Sequence, residues 1–166
     1  ASAIQELRVR GAPAIGVAAA MGVALGGQSI QSEDYQEFMA KFTEICNHIT
    51  MTRPTAVNLF WAVKRMKQVL EDNPESSIEE IKVRLVDEAI AIQQEDIVMC
   101  QTMGQHGAQL IQDGQTILTH CNAGALATAG YGTALGVVRA AWESGKKIQV
   151  IANETRPVLQ LSLIHI

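Results

Sequence analysis

Three short stretches of this 166-residue chain combine residue types able to do chemistry. The first is Thr119-His120-Cys121-Asn122-Ala123-Gly124, set between the apolar run Thr116-Ile117-Leu118 and a small-residue helical pattern from Ala125 to Ala141. A strand that ends on Cys and Asn and opens through Gly into a helix offers its thiol free N–H groups and a positive dipole end. A thiol held there ionises more easily than a free one. On residue type alone two readings of Cys121 stand, a reactive group or a small buried hydrophobe, since free cysteine is among the most buried residues. The second stretch is Arg8-Val9-Arg10-Gly11-Ala12-Pro13. An arginine followed by bare backbone N–H groups at a helix start is an anion cradle; its alternative is a solvated basic turn. The third, Thr52-Arg53-Pro54-Thr55 with Asn58 one turn on, repeats that arrangement. Two such sites suit a shared phosphate pocket, and Thr52 reads as an ordinary N-cap whatever Arg53 does.

The remaining polar candidates are weaker. Asn153-Glu154-Thr155-Arg156-Pro157 follows a second strand, and strand C-termini in an α/β sheet face the ligand crevice. This segment and Cys121 are therefore expected on one sheet edge, with Glu154 and Arg156 pairing structurally rather than acting in catalysis. His120 adjoins Cys121, but neighbours on a strand point to opposite faces, so no Cys-His dyad is expected. His48 and His106 fall on helical patterns and read as surface or packing residues. Gly130, Gly132 and Gly136 read as lying inside a helix, where they allow close packing and form no dinucleotide fingerprint.

These residues must be carried by regular elements. Ala3 to Val9 reads as the end of a helix. Pro13 suits the first turn of the next, Pro13 to Leu25, with Gly26-Gly27 as its stop. Ser32-Glu33-Asp34 opens a helix with Tyr35, Phe38, Phe42, Ile45 and Ile49 on one stripe. Thr52-Arg53-Pro54 opens another, carrying Val57, Leu59, Phe60, Val63, Met66 and Leu70. After the loop Asn73 to Ser77, Ser77 and Glu80 form a capping-box pattern. A long helix follows from Ile78 to about Ile111, with Gly104 and Gly107 as candidate bends. At Asp113-Gly114 the character changes: a buried strand, Gln115 to His120, a helix, Gly124 to Ser144, and a second buried strand, Ile148 to Ala152. A β-α-β unit implies a parallel sheet. The expectation is α/β overall: a helical N-terminal domain, 1–112, then the start of a Rossmann-like parallel α/β domain, 113–160, incomplete because two strands make no stable sheet alone.

Composition narrows the classes. Hydrophobic residues make up 48% and aromatic ones 4%, so the core is built from Ala, Val, Ile, Leu and Met. A net charge of −4 without a basic stripe argues against nucleic acid as a partner. Cys46, Cys100 and Cys121 are widely spaced with no CxxC pair, so neither a metal site nor a disulfide framework is expected. A reducing, cytoplasmic setting is the default. No signal peptide or long apolar run points to a membrane, and the apolar stretch Ala12 to Gly26 reads as a tightly packed core helix. The chain opens on Ala1 inside a helical pattern, so its N-terminus is expected to be cut. Leu161-Ser162-Leu163-Ile164-His165-Ile166 matches the translation of a transposon-end adapter, so residues 161–166 are expected to be non-native.

Arg10-Gly11-Ala12-Pro13-Ala14-Ile15-Gly16, Thr52 to Leu59, Cys121-Asn122-Ala123-Gly124 and Glu154-Thr155-Arg156-Pro157 occur in this order. Together they resemble the methylthioribose-1-phosphate isomerase family of methionine salvage, over essentially residues 1–160. Regulatory subunits of the translation initiation exchange factor and ribose-1,5-bisphosphate isomerases share its fold. The resemblance implies an aldose–ketose isomerisation, 5-methylthio-α-D-ribose 1-phosphate to 5-methylthio-D-ribulose 1-phosphate, with no metal or redox cofactor. It implies that Arg10, Gly11, Ala12, Arg53 and Gln160 hold the substrate, and that Cys121 is catalytic, stabilising the transition state or moving a proton or hydride. It also implies a homodimer in the full-length protein. The family's catalytic Asp and an Asn-Lys pair fall after the position of Gln160, so this fragment is expected to be inactive. The alternatives are a non-catalytic sugar-phosphate or nucleotide-sensing regulatory module, or a ribose-1,5-bisphosphate isomerase.

Overall fold

A computed structural model describes residues 1–154 and divides the chain into two compact units, Ala1–Gln94 and the part from Glu95 onward. The division falls inside a helix, ahead of the composition change at 112/113. The reason is visible in the packing: the C-terminal part of that helix makes its close contacts with the second unit.

The first unit is helical. It comprises α1 (Ser2–Gln5), α2 (Ala12–Ser29), α3 (Tyr35–Thr50), α4 (Val57–Glu71) and the N-terminal part of α5 (Ile78–Gln109). Its core joins Ile15, Ala19, Ala20 and Val23 of α2 to Phe38 and Phe42 of α3, Leu59 and Met66 of α4, and Ile81 and Leu85 of α5. Helix α2 has the length and apolar composition of a membrane span, yet here its Ala and Gly surface is the inner layer of this core. Small residues let neighbours approach closely. A Cβ on Gly26 would lie 2.6 Å from the Ile45 side chain, and one on Gly27 2.9 Å from Leu85 Cδ1. Gly26-Gly27 therefore does not stop the helix, as its sequence suggests, but carries it on to Ser29 as a packing seat.

Local signals set the other helix starts. Asp34 caps α3 by accepting from the Glu37 N–H at 2.7 Å. At α5 the Glu80 carboxylate accepts from the Ser77 N–H at 2.8 Å, and Ser77 Oγ accepts from the Glu80 N–H at 3.3 Å, the reciprocal capping box. The Ser77 N–H, and then the Ser77 hydroxyl, which also donates to this carboxylate at 2.8 Å, hold the Glu80 carboxyl below its usual pKa. Helix α4 begins at Val57, later than Thr52; Thr52 caps nothing there, because its hydroxyl donates back to the Ile49 carbonyl at 2.7 Å. On α4 Leu59, Val63, Met66 and Leu70 are buried, whereas Val57 and Phe60 are exposed.

In the second unit α5 continues unbroken through Gly104 and Gly107. A Cβ on Gly104 would stand 2.9 Å from the Gly136 carbonyl, and one on Gly107 2.6 Å from the Val137 methyls. Both glycines seat α6 (Ala134–Glu143) against α5. Strands β1 (Thr116–Thr119) and β2 (Gln149–Ala152) pair in parallel, Thr116 with Gln149 through Thr119 with Ala152. This is the expected β-α-β unit. The helix expected from Gly124 is corrected: a 3-10 turn (Ala125–Ala127) and a glycine loop come first, and α6 starts only at Ala134. Gly132, at φ +97°, lies in that loop and not in a helix. The strands are also less buried than expected. Ile117 and Ile148 pack with Ala108, Ile111, Ala140 and Ala141, while Leu118 and all four residues of β2 are exposed.

Leu85 is fully buried in the first unit and Val83 is 60% exposed on the same helix. Leu85→Ala is expected to destabilise the chain by about 2–5 kcal/mol, and Val83→Ala by less than about 0.5 kcal/mol, as read by urea unfolding.

Candidate active site

In the first unit the N-terminal turns of α2 and α4 abut: a Cβ on Gly16 would lie 3.2 Å from the Asn58 carbonyl oxygen. Arg10 precedes one of these helices and Arg53 the other. Both helix starts are bare. Gly11 caps α2 and Ala56 caps α4, and neither has a side-chain acceptor on its first N–H groups. Open N–H groups with an aligned dipole attract anions.

The arginines complete the arrangement. Arg10 Nη1 donates to the Leu7 carbonyl at 3.1 Å, which fixes the guanidinium. The donor's position depends on Leu7, whose φ of +59° turns the chain sharply before the helix. A left-handed leucine is uncommon and costs on the order of 1–3 kcal/mol. Arg10 Nε and Arg53 Nη1 are both buried with no hydrogen-bond partner among the described residues. A buried, unpaired donor costs about 1–3 kcal/mol, more when charged. An oxyanion is one group able to satisfy a buried guanidinium donor near an uncapped helix start. Arg8 takes no part, since it pairs with Glu6 on the surface at 2.7 Å.

In the second unit Cys121 follows β1 at the sheet's carboxyl edge. The Asn153 N–H donates to the Thr119 carbonyl at 3.3 Å, so Asn153 lies on the same edge, as expected, while Thr155 to Pro157 fall outside the described residues. Cys121 is exposed, which removes the buried-hydrophobe reading. Its φ is +68°, a left-handed value that places strain at this residue. The helix start expected beside the thiol is displaced to Ala134, and N–H groups there are taken: the Ala123 carbonyl accepts from Thr133 at 2.9 Å and Leu135 at 3.3 Å. His120 is exposed and, like Cys121, lies beyond the end of β1. Cys46 and Cys100 are buried; burial pushes the Cys46 thiol up to about 11, and burial followed by the Asp96 charge raises Cys100. His48 and His106 are exposed on α3 and α5. Among the described residues no cluster of metal-ligating side chains exists. Arg156 and Gln160 lie outside the described residues. Sequence reasoning missed Leu7 and Asp96: nothing local marks leucine for a left-handed turn, and Asp96 bonds a loop 33 residues away.

The sequence profile of the initiation factor 2 subunit family matches residues 8–164. The chain belongs to that family. Among its relatives, methylthioribose-1-phosphate isomerase of Geotalea daltonii is 59% identical over 160 residues, covering 96% of this chain and 46% of its own length. The isomerase of Geobacter sulfurreducens is 58% identical over the same shares. The crystal structure of 5-methylthioribose 1-phosphate isomerase from Pyrococcus horikoshii OT3 superposes with a TM-score of 0.89 at 44% identity, over 96% of this chain and 44% of that one. Subunit delta of translation initiation factor eIF-2B from A. fulgidus gives 0.84 at 45% identity, over 97% and 47%. The chain thus spans about half the length of the relatives it matches. The resemblance carried by the four motifs is borne out at the level of the family.

Two measurements follow. Inorganic phosphate is expected to raise the melting temperature of the wild-type chain, by the equivalent of about 2.7 kcal/mol at a hundredfold excess over Kd, and to leave an Arg10→Met/Arg53→Met double variant unmoved. Iodoacetamide under native conditions is expected to label one cysteine per chain by mass spectrometry, and Cys121→Ser is expected to abolish that label.

Proposed function

We propose that this chain forms part of an aldose–ketose isomerase that converts 5-methylthio-α-D-ribose 1-phosphate to 5-methylthio-D-ribulose 1-phosphate in methionine salvage. The observation that carries the reading is the pair of buried, unpartnered guanidinium donors, Arg10 Nε and Arg53 Nη1, beside two uncapped helix starts. Identity of 58–59% to proteins named for this reaction supplies the substrate.

In the net reaction the hydrogen on C2 moves to C1, the ring oxygen takes a proton and the 2-hydroxyl gives one up. The phosphate stays on C1 throughout, so it serves as a handle. Arg10, the Gly11-Ala12 backbone and Arg53 hold it, with Gln160 as a further substrate-binding residue, and orient the sugar before any bond breaks. Because the anomeric phosphate hinders spontaneous ring opening, the site must assist that step. Cys121 acts at the hydrogen-moving stage, as a proton carrier or as a group that stabilises the developing charge. No metal or redox cofactor enters this scheme. The protein is proposed to act in the cytoplasm, as a homodimer at full length, without nucleic acid or membrane.

The likeness to eIF-2B subunit delta supports a second reading, a non-catalytic module that senses a sugar phosphate or nucleotide through the same two arginines. A ribose-1,5-bisphosphate isomerase is less favoured, because it needs a second phosphate site and no further basic cluster stands out up to Gln160. Turnover separates these readings. A chain completed to the length of the relatives is expected to isomerise 5-methylthioribose 1-phosphate, and Cys121→Ala is expected to abolish turnover while substrate binding stays measurable. Binding without turnover in the completed wild type would favour the sensing module, and full turnover by Cys121→Ala would remove the thiol from the mechanism.

A further inference from the structure

The segment from Cys121 to Thr133 has little regular structure, yet one long-range bond and several local ones close it. The Asp96 carboxylate, on the part of α5 that belongs to the second unit, accepts from the Ala129 N–H at 2.7 Å. Next to it Thr128 Oγ1 accepts from the N–H groups of Gly130 at 3.2 Å and Gly132 at 3.0 Å. Gly132, at φ +97°, presses its backbone on the turn after the cysteine: a Cβ there would sit 2.9 Å from the Gly124 carbonyl carbon and 3.1 Å from the Ala123 oxygen. The Ala123 carbonyl is in turn held by the Thr133 and Leu135 N–H groups. Tyr131 closes the far side, its ring over the Gly104 and Gly136 positions and its hydroxyl donating to Glu143 at 2.9 Å. The bonds form one chain of contacts from Asp96 through Thr128, Gly132 and Ala123 to the strained backbone of Cys121.

We infer that Asp96 is a positioning residue for Cys121, fixing the thiol by holding the loop 121–133 onto α5. The assignment rests on the proposed role of Cys121, and its geometry belongs wholly to the second unit. Asp96 is half-buried, and a carboxylate acceptor makes a stronger bond to a backbone N–H than a neutral acceptor does. A loop containing Gly124, Gly130 and Gly132 has many alternative conformations when released, so one firm anchor matters more here than in a regular element. A misplacement of about 1 Å can cost on the order of a hundredfold in rate.

The test uses Asp96→Ala, which removes the acceptor, and Asp96→Asn, whose amide oxygen can still accept from the Ala129 N–H. In a chain completed to the relatives' length, Asp96→Ala is expected to lower kcat by about tenfold to a hundredfold with KM nearly unchanged, and Asp96→Asn to recover most of the loss. In the 166-residue chain, the rate of Cys121 alkylation by iodoacetamide is expected to change in Asp96→Ala and to stay near wild type in Asp96→Asn. Asp96→Ala with a lowered melting temperature but unchanged kcat and alkylation rate would overturn the inference, and so would Asp96→Asn as impaired as Asp96→Ala. If Asp96→Ala does not fold, Thr128→Val breaks the next link at nearly constant volume, and wild-type kcat and alkylation in that variant would overturn it equally. The alkylation readout does not depend on the isomerase reading. Absence of turnover in the completed wild type would sink that reading alone, with Cys121 reactivity still deciding what Asp96 does.

Discussion

Two guanidinium N–H groups held away from water with no acceptor among the described residues are the constraint around which the first unit is arranged. A folded chain normally pairs such donors, because leaving them bare costs free energy that marginal stability can seldom spare. Here the surroundings enforce the arrangement. The left-handed turn at Leu7 directs a carbonyl to one end of Arg10, the glycine at position 16 brings the α4 start against α2, and neither helix start carries a capping side chain. In the proposed function a bound phosphate relieves both donors and both helix starts, which would couple binding to the fold at this point.

The second unit solves a different problem. A thiol at the end of a strand is useful only if its loop is fixed, and the loop from Cys121 to Thr133 has too little regular structure to fix itself. Asp96, Thr128 and the close glycine contact at Gly132 replace the missing ladder bonds. The same long helix α5 contributes to both units: Ile81 and Leu85 belong to the core of the first, and Gly104 and Gly107 make the seat for α6 in the second.

What the sequence makes legible is whatever is locally encoded. The capping box at Ser77 and Glu80, the helix start at Ser32-Glu33-Asp34, the apolar stripe on α3 and the β-α-β order all rest on neighbours within a few residues, and all appear in the structure. The failures share a cause. Gly26-Gly27 looks like a stop, but its role is set by Ile45 and Leu85, which are remote in sequence. The stretch after Gly124 has helical composition, yet Asp96 and the Thr128 hydroxyl stabilise a loop there, and the α6 start is displaced to Ala134. Thr52 is the exception, missed for a local reason: it has the type of an N-cap, but its hydroxyl donates to the Ile49 carbonyl three residues earlier. The sequence offers the arginines as a candidate cradle; that their donors are buried and, among the described residues, unpaired cannot be read from it, because burial is a property of the packed unit.

The most direct measurement is a crystal structure of the chain, completed to the length of its relatives, with 5-methylthioribose 1-phosphate bound. The account predicts phosphate oxygens within about 3 Å of Arg10 Nε and Arg53 Nη1, over the N-termini of α2 and α4. A phosphate bound elsewhere, with both guanidinium groups still unpaired, would contradict it.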